Sequence, residues 1–348
     1  FVFLAVSTSV TLAAPASAVS SDACTDPICA PASCKSLPPM AADGSNMGEV
    51  MGACFAIPAN TASSSSAATN VNDTFLGPML HQPACGVDFS YLRFGQQAGD
   101  EPPLVLIQGS ASTMAEWTTP LLWQLAQTRE VIVFDNQGAG YSVDNTNKTL
   151  SIRGMAKNTL CLLSNLNITR ADVFGFSMGG QIAIAMTTLA GKGKYTDITL
   201  RKVISSAGDA GGNNTIPPSQ EFQDMVSSGN MTAEEIQSAY LLFFFPATLA
   251  PATRSCLVCQ YAVGISRFPF EEPAVTAAVS AAQTNAEVAW LESSAVWDAV
   301  ANATTPLLLL TGSADAIVPA QNQVNLASQY AQGLFRSDAS SLFRKETN

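Results

Sequence analysis

The sequence predicts an α/β fold: a mostly parallel sheet with helices on both faces. Three observations lead there. From Val87 onward, apolar runs of four to six residues alternate with helical stretches of ten or more. Several of those runs are apolar almost throughout, which marks strands buried on both faces, as in a parallel sheet. Strands end in glycine-containing turns that feed helices, the sign of successive right-handed crossover units.

The elements follow in order. FVFLAVSTSVTLAAPASAVS (1–20) is apolar and then small, and Ala16-Ser17-Ala18 fits signal-peptidase cleavage. The run is too short and too polar for a membrane span. Residues 1–18 are therefore expected to be the remnant of a signal peptide that starts upstream. Residues 19–86 are rich in Ala, Ser, Pro and Asn and hold Cys24, Cys29, Cys34, Cys54 and Cys85, five of the eight cysteines. They read as an irregular lead-in tied by disulfides. VDFSYLRFG, PLVLIQG, EVIVF, ADVFGF and LRKVISSAG are strands, and PLLWQLAQ, LSIRGMAKNTLCLLSNL and MGGQIAIAMTTLA are helices. After Ala207 the alternation stops, and residues 208–299 read as helices broken by Pro and aromatic clusters. TPLLLLTGSAD and PAQNQVNLASQYAQ then restore the strand–helix pattern. Residues 87–207 and 300–348 are thus the expected core, and 208–299 a helical lid.

Bulk chemistry excludes several functions. Charged residues make up 12% of the chain, with a net charge of -11 and no acidic or basic block. That gives no footprint for nucleic acid and no polybasic membrane patch, and no integral membrane protein is expected. Sequons at Asn72, Asn147, Asn167, Asn213, Asn230 and Asn302, with an even cysteine count, point to secretion or a secretory lumen. Cys256-Leu-Val-Cys259 lacks a second pair and nearby histidines, so a structural disulfide role is expected and no metal. No cofactor is expected.

The chemistry centres on GFSMGG (175–180). A serine hydroxyl becomes a useful nucleophile only if a base takes its proton and donors stabilise the oxyanion. Gly175 and Gly179 flank Ser177 in the G-x-S-x-G spacing of a strained strand-to-helix turn, with a strand before and a helix after. The Met178 N–H, at the helix N-terminus, is one expected oxyanion donor. IQGSAST supplies the other through Ser110 or Ala111, since Gly109 permits the tight turn.

With these residues in view, the stretch from about Leu104 to Val318 resembles the α/β-hydrolase superfamily, in its lidded, serine-nucleophile group. Four landmarks match in order: IQGSAST for the oxyanion loop, VFDNQGAGYS for the D-x-R-G-x-G-x-S turn, GFSMGG for the elbow, and LLLLTGSADAIVP for the strand carrying the acid. The resemblance implies Ser177 as nucleophile, Asp315 as triad acid, and Ser110 with Met178 as oxyanion donors. It implies cleavage of a small ester or a peptide or amide substrate through an acyl-enzyme, without a cofactor. Gln108 and Gln137 stand where the family has histidine and arginine. Asp135 is expected to brace its turn, and Asp209 to cap a loop in preference to serving as an alternative acid.

The family's catalytic histidine follows the acid by two to three dozen residues, and none follows Asp315 here; the tail also shows no clear final strand or closing helix. The one histidine, His81, precedes the first expected strand. Three explanations are open: a sequence that stops before the histidine, a noncatalytic binding relative, or a different base. The first is preferred, and the 348-residue chain is expected to be nearly inactive. Lid residues Leu241 to Phe245, Phe268, Phe270, Trp290 and Trp297 could line an acyl pocket or simply form core, and Glu271 and Glu272 are the lid's acidic candidates for a substrate amine.

Overall fold

A computed structural model describes residues 37–55 and 73–330, apart from 43, 98, 228–243, 246–248, 267 and 272, together with strand backbone at 333–337 and 342–344. The signal segment, Cys24, Cys29, Cys34, Asn72, Asn230, Leu241 to Phe243 and Glu272 lie outside the described residues.

The strands form one ten-stranded sheet. In chain order they are β1 (Leu80–Ala84), β2 (Val87–Phe94), β3 (Leu104–Ile107), β4 (Val131–Phe134), β5 (Val143–Asp144), β6 (Arg170–Phe176), β7 (Thr199–Ser206), β8 (Leu307–Thr311), β9 (Gly333–Ser337) and β10 (Leu342–Arg344). Their order across the sheet is β1-β2-β4-β3-β6-β7-β8-β9-β10, with β5 paired to β2. From β4 to β9 every pairing is parallel, and the outer pairs β1–β2, β2–β4 and β9–β10 are antiparallel.

The central strands explain why their runs are apolar throughout. On β3, Leu104 and Leu106 enter one core cluster while Val105 and Ile107 enter another; β4 divides Val131 and Val133 from Ile132 and Phe134 in the same way. With both faces covered, successive side chains are all buried whichever way they point. Helices α3 (Ile152–Asn165) and α4 (Met178–Leu189) help build the face of Val105 and Ile107, and α2 (Thr119–Ala126) covers the face of Leu104 and Leu106. Ser151 caps α3 by accepting from the Gly154 N–H at 3.1 Å.

Two expectations need correction. Residues 80–84 are not irregular lead-in but an edge strand, zipped to β2 through Leu80–Tyr91 to Ala84–Val87. Pro83 disguises it; proline is tolerated there because an edge strand has one side free of ladder bonds. The tail does carry a further strand: β9 runs parallel to β8, from Leu307–Gly333 to Thr311–Ser337. Helix α9 (Gln321–Gln329) makes the crossover between them.

Between β7 and β8 the regular elements among the described residues are helices: α5 (Gln220–Ser227), α6 (Pro251–Ser266), α7 (Ala277–Leu291) and the short α8 (Trp297–Val300). Ahead of β1, α1 (Met47–Phe55) packs on α6 and is bonded to it through Cys54–Cys259, a link spanning 205 residues. Cys256 is disulfide-bonded as well, and Cys85–Cys161 ties the β1–β2 turn to α3. Within the C-x-x-C pair, Cys259 thus anchors the lead-in to the lid, and both cysteines serve as structural disulfides. No described helix is long and apolar enough to cross a membrane.

Candidate active site

The parallel strands bring their C-terminal ends to one edge, where crevices form in open α/β sheets. Ser177 sits between β6 and α4 at φ 54° and ψ -122°, a region that costs about 1–3 kcal/mol for a residue with a side chain. Backbone bonds hold it there: its N–H donates to the Ser206 carbonyl at 2.8 Å, and its carbonyl accepts from Gly180 at 2.7 Å and Gln181 at 3.1 Å.

The glycines of GFSMGG are each explained by contact. A Cβ on Gly175 would fall 2.0 Å from the Gly179 carbonyl oxygen, and one on Gly179 would fall 2.0 Å from that of Ile107. The elbow is thus pressed onto β3 so closely that only hydrogen fits. Gly109 lies against Ser177, its notional Cβ 3.1 Å from that of the serine. The oxyanion-loop candidate and the serine candidate therefore meet. Among the described residues no acceptor holds the N–H of Ser110 or of Met178.

Gln108 and Gln137 fill the places of histidine and arginine with local bonds. Gln108 accepts from the Gly109 N–H at 2.9 Å through its side chain and from Asn136 Nδ2 at 2.8 Å through its carbonyl. Gln137 Oε1 accepts from Asn158 Nδ2 at 2.7 Å. Asp135 is fully buried and accepts from Ser90 Oγ, the Met114 N–H and the Tyr141 N–H at 2.8–2.9 Å. It braces the turn, as expected. Asp209 is buried and accepts from the Gly211 N–H, Gln181 Nε2 and Trp290 Nε1. It caps its loop, again as expected, and pins the lid to the core as well.

Asp315 follows β8, and its Oδ1 accepts from the N–H groups of Ile317 and Val318, each at 2.9 Å. Burial pushes its carboxyl above the usual range, while those two N–H bonds pull the other way. His81 lies on exposed edge strand β1, four strand spacings from β6, or about 19 Å. The sheet keeps it from Ser177.

The lid supplies what sequence reasoning missed. Gln283 and Glu287, one turn apart on α7, both reach the oxyanion loop. Gln283 Oε1 accepts from the Ala111 N–H at 2.7 Å, and Glu287 hydrogen-bonds the Ser110 side chain. Loss of water around its carboxyl raises Glu287 to about 7; the Ser110 bond opposes this and the charge of Asp209 adds to it. No local signal marks either residue. Of the aromatic candidates, Phe268 and Trp290 are buried core, while the Phe244 ring lies edge-on to Phe176, next to Ser177, at 6.5 Å. Glu271 is exposed. No cluster of metal-ligand residues exists among the described residues.

Comparison with known proteins agrees with this architecture. The family model described as alpha/beta hydrolase fold matches residues 102–254. A protein of Pseudomonas savastanoi pv. phaseolicola, provisionally named carbamate hydrolase RutD, is 25% identical over 231 residues, 66% of this chain and 82% of its own. Among solved structures, an alpha/beta hydrolase fold protein from Chitinophaga pinensis superposes with a TM-score of 0.58 at 21% identity, over 76% of this chain and 90% of that one. The enol-lactonase from Burkholderia xenovorans gives 0.55 at 21% identity, over 74% and 90%. Sheet order, elbow and the match over residues 102–254 converge: the chain has the α/β-hydrolase fold.

Proposed function

We propose that this chain is a serine hydrolase by construction, cleaving an ester or amide through an acyl-enzyme on Ser177. The observation that carries the reading is the strained backbone of Ser177, held against Gly109 with the N–H groups of Ser110 and Met178 free of described acceptors. Ser177 Oγ attacks the acyl carbon, and its proton passes to a base. The Ser110 and Met178 N–H groups receive the charge that develops on the carbonyl oxygen. The intermediate collapses with loss of the alcohol or amine, and water then releases the acid. Asp315 is the group that would orient a histidine base. The substrate is a small ester or amide; a carbamate, the class named for the RutD relatives, has the same acyl carbon and fits the same steps.

Within the 348 residues the only histidine is His81, on the far edge strand. This polypeptide is therefore expected to turn over slowly. Loss of the base in a serine triad costs on the order of 10⁶ in kcat, and an intact oxyanion hole leaves about 10³ over water. The same fact favours a second reading, a binding protein that uses the fold without turnover.

Labelling with a fluorophosphonate, followed by mass spectrometry, separates the possibilities. The expected result is slow labelling, over hours, confined to Ser177 and lost in Ser177→Ala. Labelling within minutes would show that a base is present after all. Labelling elsewhere, or none, would remove Ser177 as the nucleophile and leave the binding reading. A secretory-lumen location accompanies the proposal. The disulfides need an oxidising compartment, and Asn147, Asn167, Asn213 and Asn302 are all exposed.

A further inference from the structure

Helix α7 lies along the candidate site. Val279 packs on Gly138 of the Asp135 turn, Gln283 and Glu287 bond the oxyanion loop, and Trp290 bonds Asp209. Positions 279, 283, 287 and 290 share one helical face. Gln283 is the deepest of them, with no exposed surface.

Its amide orientation is dictated by chemistry. The Ala111 N–H is a donor, so the atom 2.7 Å from it must be the side-chain oxygen. The nitrogen then has to point elsewhere, and Gln283 Nε2 is buried with no hydrogen-bond partner. An amide oxygen and nitrogen are only about 2.3 Å apart, which keeps Nε2 within roughly 5 Å of the Ala111 nitrogen. Ala111 adjoins Ser110 and stands at φ 54°. A fully buried donor left without an acceptor is costly, and this one sits beside the loop proposed to receive the substrate carbonyl.

We propose that Gln283 is a substrate-contacting residue: its oxygen holds the oxyanion loop in place and its Nε2 donates to an oxygen acceptor carried next to the scissile carbonyl. The favoured substrates are then acyl compounds with an ether, carbonyl or similar oxygen on the carbon chain beside the reacting group, in preference to plain alkanoyl compounds. This rests on the reading of the site as an acyl site, but not on turnover.

The test uses the full 348-residue chain in a Ser177→Ala background, so that neither hydrolysis nor a base enters. Affinity is measured for two nearly isosteric esters, p-nitrophenyl methoxyacetate and p-nitrophenyl butyrate, which differ by an oxygen in place of a methylene. The expected result is that methoxyacetate binds about tenfold more tightly, the scale of one buried hydrogen bond. Gln283→Met should abolish that preference, read as the ratio of the two affinities within one variant, so that any loosening of the oxyanion loop cancels between the two esters. Gln283→Leu serves in its place if the Met variant melts early. Equal weakening of both esters would reduce Gln283 to a loop support and overturn the proposal. So would the absence of any preference in the parent, or its survival in the variants. The fluorophosphonate experiment is independent of these outcomes, so loss of Ser177 as nucleophile and loss of the Gln283 contact can be told apart.

Discussion

At the scale of the residue, the elbow glycines make a sharp steric prediction. Gly179→Ala would set a methyl group 2.0 Å from the Ile107 carbonyl oxygen and 2.8 Å from that of Gln108. Both are backbone atoms of β3 and the loop after it, so nothing flexible can give way. The expected loss is about 3 kcal/mol or more, read as a lower urea midpoint at unchanged slope. Gly52→Ala, in α1 with no atom within 4 Å of the new methyl, should instead gain about 0.5–1 kcal/mol. A Gly179→Ala variant as stable as the parent would mean that the elbow does not press on β3. Residues of this kind were legible in the sequence because spacing and small size are local. Gln283 and Glu287 were not, since their meaning depends on a loop more than 170 residues away that only the fold brings to them.

At the scale of the element, legibility followed burial on both faces. Strands β3, β4, β6, β7 and β8 announced themselves as apolar runs, because their apolar side chains had a core to enter on either face. Strand β1 did not: as an edge strand it carries His81, Gln82 and Pro83, with Ala84 its one buried residue. Strand β9 was hidden for a related reason. Its five residues gain their identity from pairing with β8, not from a pattern of their own. The joining of α1 to the lid was likewise beyond sequence, since spacing does not fix disulfide connectivity. Its consequence is testable. Cys54–Cys259 closes a loop of 205 residues, a cross-link worth about 2–5 kcal/mol through the unfolded chain. Cys54→Ser should lower the melting temperature and open residues 37–55 to protease well below the melting point of the sheet. Unchanged cleavage kinetics would show that packing of α1 on α6 suffices without the bond.

At the scale of the whole molecule, carboxyl groups divide by location, and the division sets the response to pH. At the candidate site and under the lid, burial raises Glu116, Asp209, Glu287 and Asp315. At the opposite ends of β6 and β7, Asp172 is lowered: burial opposes ionisation, but hydrogen bonds from Arg201 and Arg129 outweigh it. A raised carboxyl binds its proton more tightly folded than unfolded. The stability it contributes is therefore fully present below about pH 4, the unfolded value, and is lost as pH rises through the folded one. For Glu287 that window runs from about 4 to about 7. A lowered carboxyl behaves in the opposite sense: Asp172 stabilises above about pH 4 and loses that contribution as pH falls toward its folded value. The two groups together place the stability maximum in mildly acidic solution, between about pH 4 and 6, and not at neutrality. Melting temperatures from pH 3 to 9 should trace that maximum. Glu287→Gln should raise the alkaline limb by about 1 kcal/mol, after allowance for the part of the side chain that water still reaches, and leave pH 4 unchanged. Asp172→Asn, which takes from Arg129 its carboxylate partner and leaves Arg201 only Glu101, should lower stability at pH 7 by about 3 kcal/mol and by much less at pH 3. A monotonic rise in melting temperature up to pH 8 in the parent would mean that the site-end carboxyls are better solvated than their surroundings imply, and that the lid does not seal them from water.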